Sequence, residues 1–132
     1  MAEIQILRSI DIENEIRLAL KDYFTIYCRP LPSKFVTPSL LVSKVGGTDL
    51  SKVDTFEVVL DSRAKDEGTA DELLRNAVGT LKEIARLQTT AIRNVSVNSI
   101  GSWGNDPARP DLAMCSARLR VTAHEEIATI TK

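Results

Sequence analysis

Ser39-Leu40-Leu41-Val42-Ser43-Lys44-Val45-Gly46-Gly47, followed by Asp54-Thr55-Phe56-Glu57-Val58-Val59-Leu60-Asp61 and then Thr69-Ala70-Asp71-Glu72-Leu73-Leu74, decides the fold. Leu40–Val42 is a continuous apolar run, the mark of a strand buried on both faces or paired in mid-sheet. Gly46-Gly47 reads as the turn that ends this strand, where positive φ is needed. In the next strand Phe56, Val58 and Leu60 alternate with Thr55, Glu57 and Val59, so one face is apolar. The polar stretch Thr48–Lys52 suits a wide hairpin and is too short for a helical crossover, which makes the two strands antiparallel.

A helix follows. Thr69-Ala70-Asp71-Glu72 has the form of a capping box, in which the Thr hydroxyl and the Glu carboxylate satisfy each other's orphan amides. Ala70, Leu73, Leu74, Ala77, Val78, Leu81, Ile84 and Ala85 then draw one unbroken apolar stripe, while Arg75, Asn76, Lys82, Glu83 and Arg86 point away from it. Gly79 falls on the polar side and costs about 1 kcal/mol relative to Ala.

Upstream, Ile12, Ile16, Ala19, Leu20 and Tyr23 recur at spacings of three and four. They predict a first helix from Ser9 or Asp11 to about Tyr23, with Glu13 and Arg17 in the favourable i,i+4 order. Arg29-Pro30-Leu31-Pro32-Ser33 cannot continue a helix and reads as an extended loop, with Phe35-Val36 as a brief strand before Pro38. Downstream, Ile92 to Asn98 alternates weakly and predicts a third strand. Gly101 to Asp111 reads as a loop. From Leu112 to His124, Cys115, Ala117, Leu119, Val121 and Ala123 face one way, and Ser116, Arg118, Arg120, Thr122 and His124 face the other. Such alternation marks a strand with one wet or partner-facing side. The expected architecture is therefore α+β: a two-layer, four-stranded mixed sheet packed against two helices, in α-β-β-α-β-β order. Residues 1–132 form a single domain, with a short N-terminal arm (1–8) and a C-terminal tail (125–132).

The 132 residues carry a net charge of −1 and only 5% aromatic side chains. An aliphatic core follows, and neither a strong basic field for DNA nor a stacking platform for single strands is present. No apolar run approaches the roughly 18 residues of a membrane span. The first six residues lack the basic start and apolar middle of a signal peptide, so the protein is expected to stay where it is made. Cys28 and Cys115 stand at no metal-ligand spacing and read as reduced, partly buried thiols, a bridge between them being the alternative.

No segment concentrates the chemistry of an active site. His124 lies near a strand end on the polar face, and no nucleophile is identified for it to activate. Asp61, Asp66 and Glu67 could hold a divalent cation but read first as solvated carboxylates leading into the helix cap. Gly46-Gly47 lacks the Lys-Ser/Thr and helix of a phosphate loop, and Gly101-Ser102-Trp103-Gly104 lacks the spacing and helix of a nucleophile elbow. The expectation is a non-enzyme with no catalytic, cofactor or metal residues. Phe35, Trp103, Arg109, Arg118 and Arg120 are the candidate interface residues. Trp103, in a Gly-rich stretch, suits a partner contact as well as a ring folded back on the sheet. Arg118 and Arg120 share one strand face, read either as solvated or as a stripe meeting a neighbouring subunit's carboxylates or a nucleic-acid channel.

Taken in order, several weak motifs together resemble the tail terminators of long-tailed bacteriophages, the lambda-type family. They are the Asp11-Ile12-Glu13 helix, the proline-broken loop ending at Pro38, Leu40-Leu41-Val42 leading to Gly46-Gly47, the strand Phe56 to Asp61, the helix from Ala70, and Asp106-Pro107-Ala108-Arg109-Pro110 before a long last strand. The likeness covers roughly residues 10 to 124 and rests on order and spacing. It implies structural work: a homo-oligomeric ring, a hexamer in that family, that caps the tail tube, ends its polymerisation and joins it to the head–neck complex. It also implies the tail tube protein and a head–neck connector or stopper as partners, DNA passing through the lumen without sequence-specific binding, and residence in the virion after assembly in the host cytoplasm. The family has no catalytic motif to transfer. The overall charge departs from a strongly acidic, DNA-repelling channel, so any such surface must be local. A different neck component, or a small α+β enzyme or ligand-binding domain with a site assembled from distant residues, are the other readings.

Overall fold

Alternation in the strands and the three-to-four spacing in the helices each leave one apolar face, and the two kinds of face cover each other. A computed structural model describes residues 2–50 and 53–132, and at 49, 50, 102 and 103 the backbone alone. Its elements are β1 (Glu3–Arg8), α1 (Ile12–Leu20), β2 (Ile26–Cys28), β3 (Ser39–Leu50), β4 (Val53–Ala64), α2 (Glu67–Leu87), β5 (Ile92–Asn105), β6 (Ala113–His124) and β7 (Glu126–Thr131). Five strands form a mixed sheet in the order β2-β3-β4-β6-β5, while β1 and β7 make a separate two-stranded sheet. β2 runs parallel to β3, and the other neighbours are antiparallel.

Along β4 every even-numbered side chain is buried and every odd-numbered one is half-exposed. The buried row meets Ile12, Ile16 and Leu20 of α1 and Ala70, Leu74, Ala77 and Leu81 of α2 in one apolar cluster. Both helices therefore lie on the same face of the sheet, as the two-layer expectation has it. Ser62, fully buried in that row, donates its hydroxyl to the Ala70 carbonyl at 2.7 Å and ties β4 to the start of α2. The two antiparallel hairpins, β3–β4 and β5–β6, also stand where the sequence puts them, joined through α2.

The four-stranded sheet in α-β-β-α-β-β order is corrected. Strands hold 49% of the residues, so the chain is mostly β. The observed order is β-α-β-β-β-α-β-β-β. β2 has only three residues, too few to show a period, and pairs with Leu40–Val42. That pairing, with β4 on the other side, puts the apolar run in mid-sheet. Phe35-Val36 lies outside the strands. The expected N-terminal arm (1–8) and C-terminal tail (125–132) carry β1 and β7, which pair with each other along their whole length.

Local signals shift as well. Gly46-Gly47 does not end β3, which continues to Leu50 past a bulge between Lys44 and Gly46. Among the described glycines only Gly104 has positive φ. Gly47 is required by space, because a Cβ there would lie 3.0 Å from the Thr55 carbonyl oxygen. The capping residue of α2 is Asp66, whose carboxylate accepts from the Thr69 amide at 2.8 Å and the Thr69 hydroxyl at 2.9 Å. Those two bonds hold its carboxyl below the ordinary range. The helix thus begins before Thr69, and an Asx cap replaces the capping box. β5 continues to Asn105, so the expected loop from Gly101 shortens to residues 106–112. Glu13 does not pair with Arg17. It accepts from Arg29 at 2.7 Å and from the Lys44 amide at 2.9 Å, fastening α1 to the sheet beyond the end of β2. Burial opposes its charge, but these donors outweigh it and hold the carboxyl below the usual range.

Candidate interaction surface

The first surface is the ribbon made by the two chain ends. Residues opposite one another in an antiparallel pair share a face. The register Ile4↔Ile130 and Ile6↔Ala128 therefore builds one apolar face, closed at its root by the Arg8–Glu126 ion pair at 3.2 Å. Leu7↔Ile127 puts a second apolar pair on the opposite face. Ile4 is 59% exposed, Leu7 57%, Ile127 71% and Ile130 47%. Ile6 and Ala128 are half-buried between these open side chains, and an isolated two-stranded ribbon is marginal in water. The ribbon leaves the body at Ile10, which is buried, and at His124, whose amide donates to the Ala91 carbonyl at 3.0 Å.

The second surface is the open face of the five-stranded sheet. Arg120 donates to Glu57 at 3.0 Å, and Asn98 donates to the other oxygen of the same carboxylate at 3.2 Å. Ser116 donates to Asp61. Between them Val59, Ser99, Met114 and Arg118 line a shallow depression of about 250 Å³. Arg118 is exposed and has no hydrogen-bond or ion-pair partner among the described residues. Its neighbour two residues on, Arg120, is neutralised within the chain. The expected arginine stripe is thus one paired and one unpaired guanidinium.

At one end of the sheet the 106–112 loop meets the loop before β3. Arg109 lies over the Phe35 ring, 5.7 Å from its centroid, and grips Asp111 at 3.0 Å. Two candidates from opposite halves of the chain, Phe35 and Arg109, are brought together here. Beneath them sits a pair that the sequence reading passed over, Arg63 and Asp106, 2.7 Å apart and both nearly buried. Burial opposes the charge on Asp106, yet the Arg63 guanidinium and the amides of Ala108 and Arg109 keep its carboxyl below the usual range. Asn105-Asp106-Pro107 was the available signal, a turn dipeptide whose Asp bonds backbone two residues on. Its partner, Arg63, lies 43 residues away in sequence. The Trp103 backbone belongs to β5, and its side chain lies outside what the structure describes.

The remaining candidates stay apart. His124 is exposed at the end of β6. Cys28 is half-buried and Cys115 buried, and they form no disulfide. Burial, with Glu13 nearby, pushes the Cys28 thiol up. Asp66 is engaged in its cap and Asp61 with Ser116. No three histidine, cysteine or carboxylate side chains gather as a metal site among the described residues, and no described helix is long and apolar enough to cross a membrane. A wider hollow of about 700 Å³ lies between the end of α1 and the outer side of α2, bordered by Tyr23, Phe24, Gly79, Ile84 and Leu87. Tyr23, placed by the sequence in the apolar stripe, is 70% exposed there. No protein-family model matches the chain, and no curated protein matches it.

Proposed function

We propose that this chain is a self-assembling structural subunit, a tail-terminator-like protein whose copies close into a ring that caps a phage tail tube and meets the head–neck complex. The supporting observation is the terminal ribbon, with Ile4, Ile130, Leu7 and Ile127 bare on its two faces. Apolar surface of this kind, on strands too few to stand alone, gains its stability from a cover. A neighbouring copy provides that cover in a ring, and both chain ends become part of the joint. The loop end carrying Phe35 and Arg109 and the open sheet face are then free for the tube and the neck.

Native mass spectrometry and negative-stain microscopy of the full chain test this reading. Closed rings are the expected result, and removal of residues 1–8 should leave monomers whose body is still folded. Virions assembled without the protein should show tails of uncontrolled length that fail to join heads. A wild-type chain that stays monomeric at high concentration and in the presence of tail tubes overturns the proposal. Tails of normal length on leaking heads would point to a connector instead.

A further inference from the structure

Asp54 is a buried carboxyl group with no hydrogen-bond partner among the described residues. Its residue is 2% exposed, and neither carboxylate oxygen accepts a hydrogen bond. A buried carboxyl group left without a partner is destabilising, and each one a fold retains calls for an explanation. The side chain points to the helix side of the sheet, in the same row as Phe56 and Val58. It lines a pocket of about 280 Å³ with Ser9, Lys44, Gly47 and Phe56, at the place where the ribbon joins the body. Gly47 keeps one wall bare. Lys44, a cation that lines the same pocket, holds its ammonium over the Phe56 ring at 5.3 Å from the centroid and has no ion-pair partner among the described residues.

The same chain carries the complement. Nine of its ten arginines hydrogen-bond within the chain. Arg118 alone has no partner among the described residues, and it stands exposed on the open face. Since Val59 of β4 is its register partner, Arg118 projects from the side of the sheet opposite to Asp54. The two cannot meet within one chain. A contact between them joins the open face of one copy to the helix side of the next. That arrangement is head-to-tail, and repeated head-to-tail contacts close into a ring or run on as a filament.

We propose that the Asp54 pocket receives a guanidinium from a neighbouring copy, and that Arg118 supplies it. A guanidinium offers up to two parallel N–H donors to the two carboxyl oxygens, which are already out of water in the single chain, so only Arg118 gives up solvent on assembly. The inference rests on the self-assembly reading and names one contact within it.

The test measures association of the full chain by analytical ultracentrifugation and native mass spectrometry, for wild type, Asp54→Asn, Arg118→Gln and the double variant. Asn keeps the shape of Asp, and Arg118 is exposed, so the second variant folds whatever the first does. Each single change should weaken association about ten-fold or more, and the double variant should be no weaker than the worse single one. Singles that associate like wild type, or effects that simply add, overturn the contact while leaving the ring intact. Urea unfolding of Asp54→Asn combined with Lys44→Met or Lys52→Met reads the remaining case: coupling in the monomer would assign Asp54 a partner in its own chain and end the proposal. A wild type that never associates removes this contact and the self-assembly reading together.

Discussion

The sheet-and-helix body and the terminal ribbon use the same aliphatic residues to opposite ends. In the body Ile12, Ile16, Leu60, Leu74 and Leu119 are sealed from water, and β4 and β6 alternate strictly because one row of each is buried while the other is half-exposed or exposed. In the ribbon Ile4, Leu7, Ile127 and Ile130 are open, and neither face is privileged. The difference is one of layers. An α+β body can cover one face of its sheet with its own helices, whereas two strands at the chain ends have nothing of their own to lie on. The body seals its apolar side chains with its own elements, and the ribbon leaves its own in water.

The sharpest way to break that contrast is to empty the body. Leu74→Ala on α2, at a site with no solvent exposure, should cost about 3–4 kcal/mol in urea unfolding, through lost burial and the cavity left behind. A cost under about 1 kcal/mol would mean that α2 does not seal the core. Next in size is Arg63→Ala, which removes the only described cation paired with buried Asp106, leaves it to backbone amides, and should cost about 3 kcal/mol. The sign of its pH dependence is fixed. The folded-state pKa of Asp106 is lowered, so its contribution is complete above about pH 4 and is lost as pH falls through the lowered value. The acid limb of wild-type stability should therefore flatten in the variant. An unchanged limb would assign the acid sensitivity to other carboxylates. Smaller again is Glu13→Gln, which keeps the shape but weakens the bonds to Arg29 and the Lys44 amide. About 1–2 kcal/mol is expected because Arg29 is half-exposed, and hydrogen exchange at Lys44 should rise with it.

What could be read from the residues follows the same division. Phe56, Val58 and Leu60 against Thr55, Glu57 and Val59, and Cys115 through Ala123 on β6, announce themselves because burial on one face imposes period two. α2 does the same at its own period. β2 is hidden because three residues make no pattern, and β1 and β7 because strands with two bare faces have no period to display. Gly46-Gly47 misled through a different confusion: glycine serves close approach as well as positive φ, and only the Thr55 carbonyl tells which. Of the candidate surface, Arg118 and Arg120 were legible as a pair on one face, but Glu57, which neutralises only one of them, lies 63 residues from Arg120 in sequence. Asp54 gave no signal at all, since an acidic residue at a strand start reads as an ordinary edge.

The smallest expected effect on folding is the one that most sharpens the comparison. Ile4→Thr with Ile130→Thr replaces the outer cross-strand pair on one ribbon face with residues that keep β-branching and lose apolar surface. Both side chains are already wet in the single chain, so the urea midpoint of the monomer should move by no more than about 0.5 kcal/mol equivalent. Association should suffer far more, because the lost surface is counted only when a neighbour covers it. A large loss of monomer stability would show that the ribbon is held by its own body. Equal and small effects on both would leave the apolar faces with no role in assembly, and the distinction between the two regions would then be one of exposure alone.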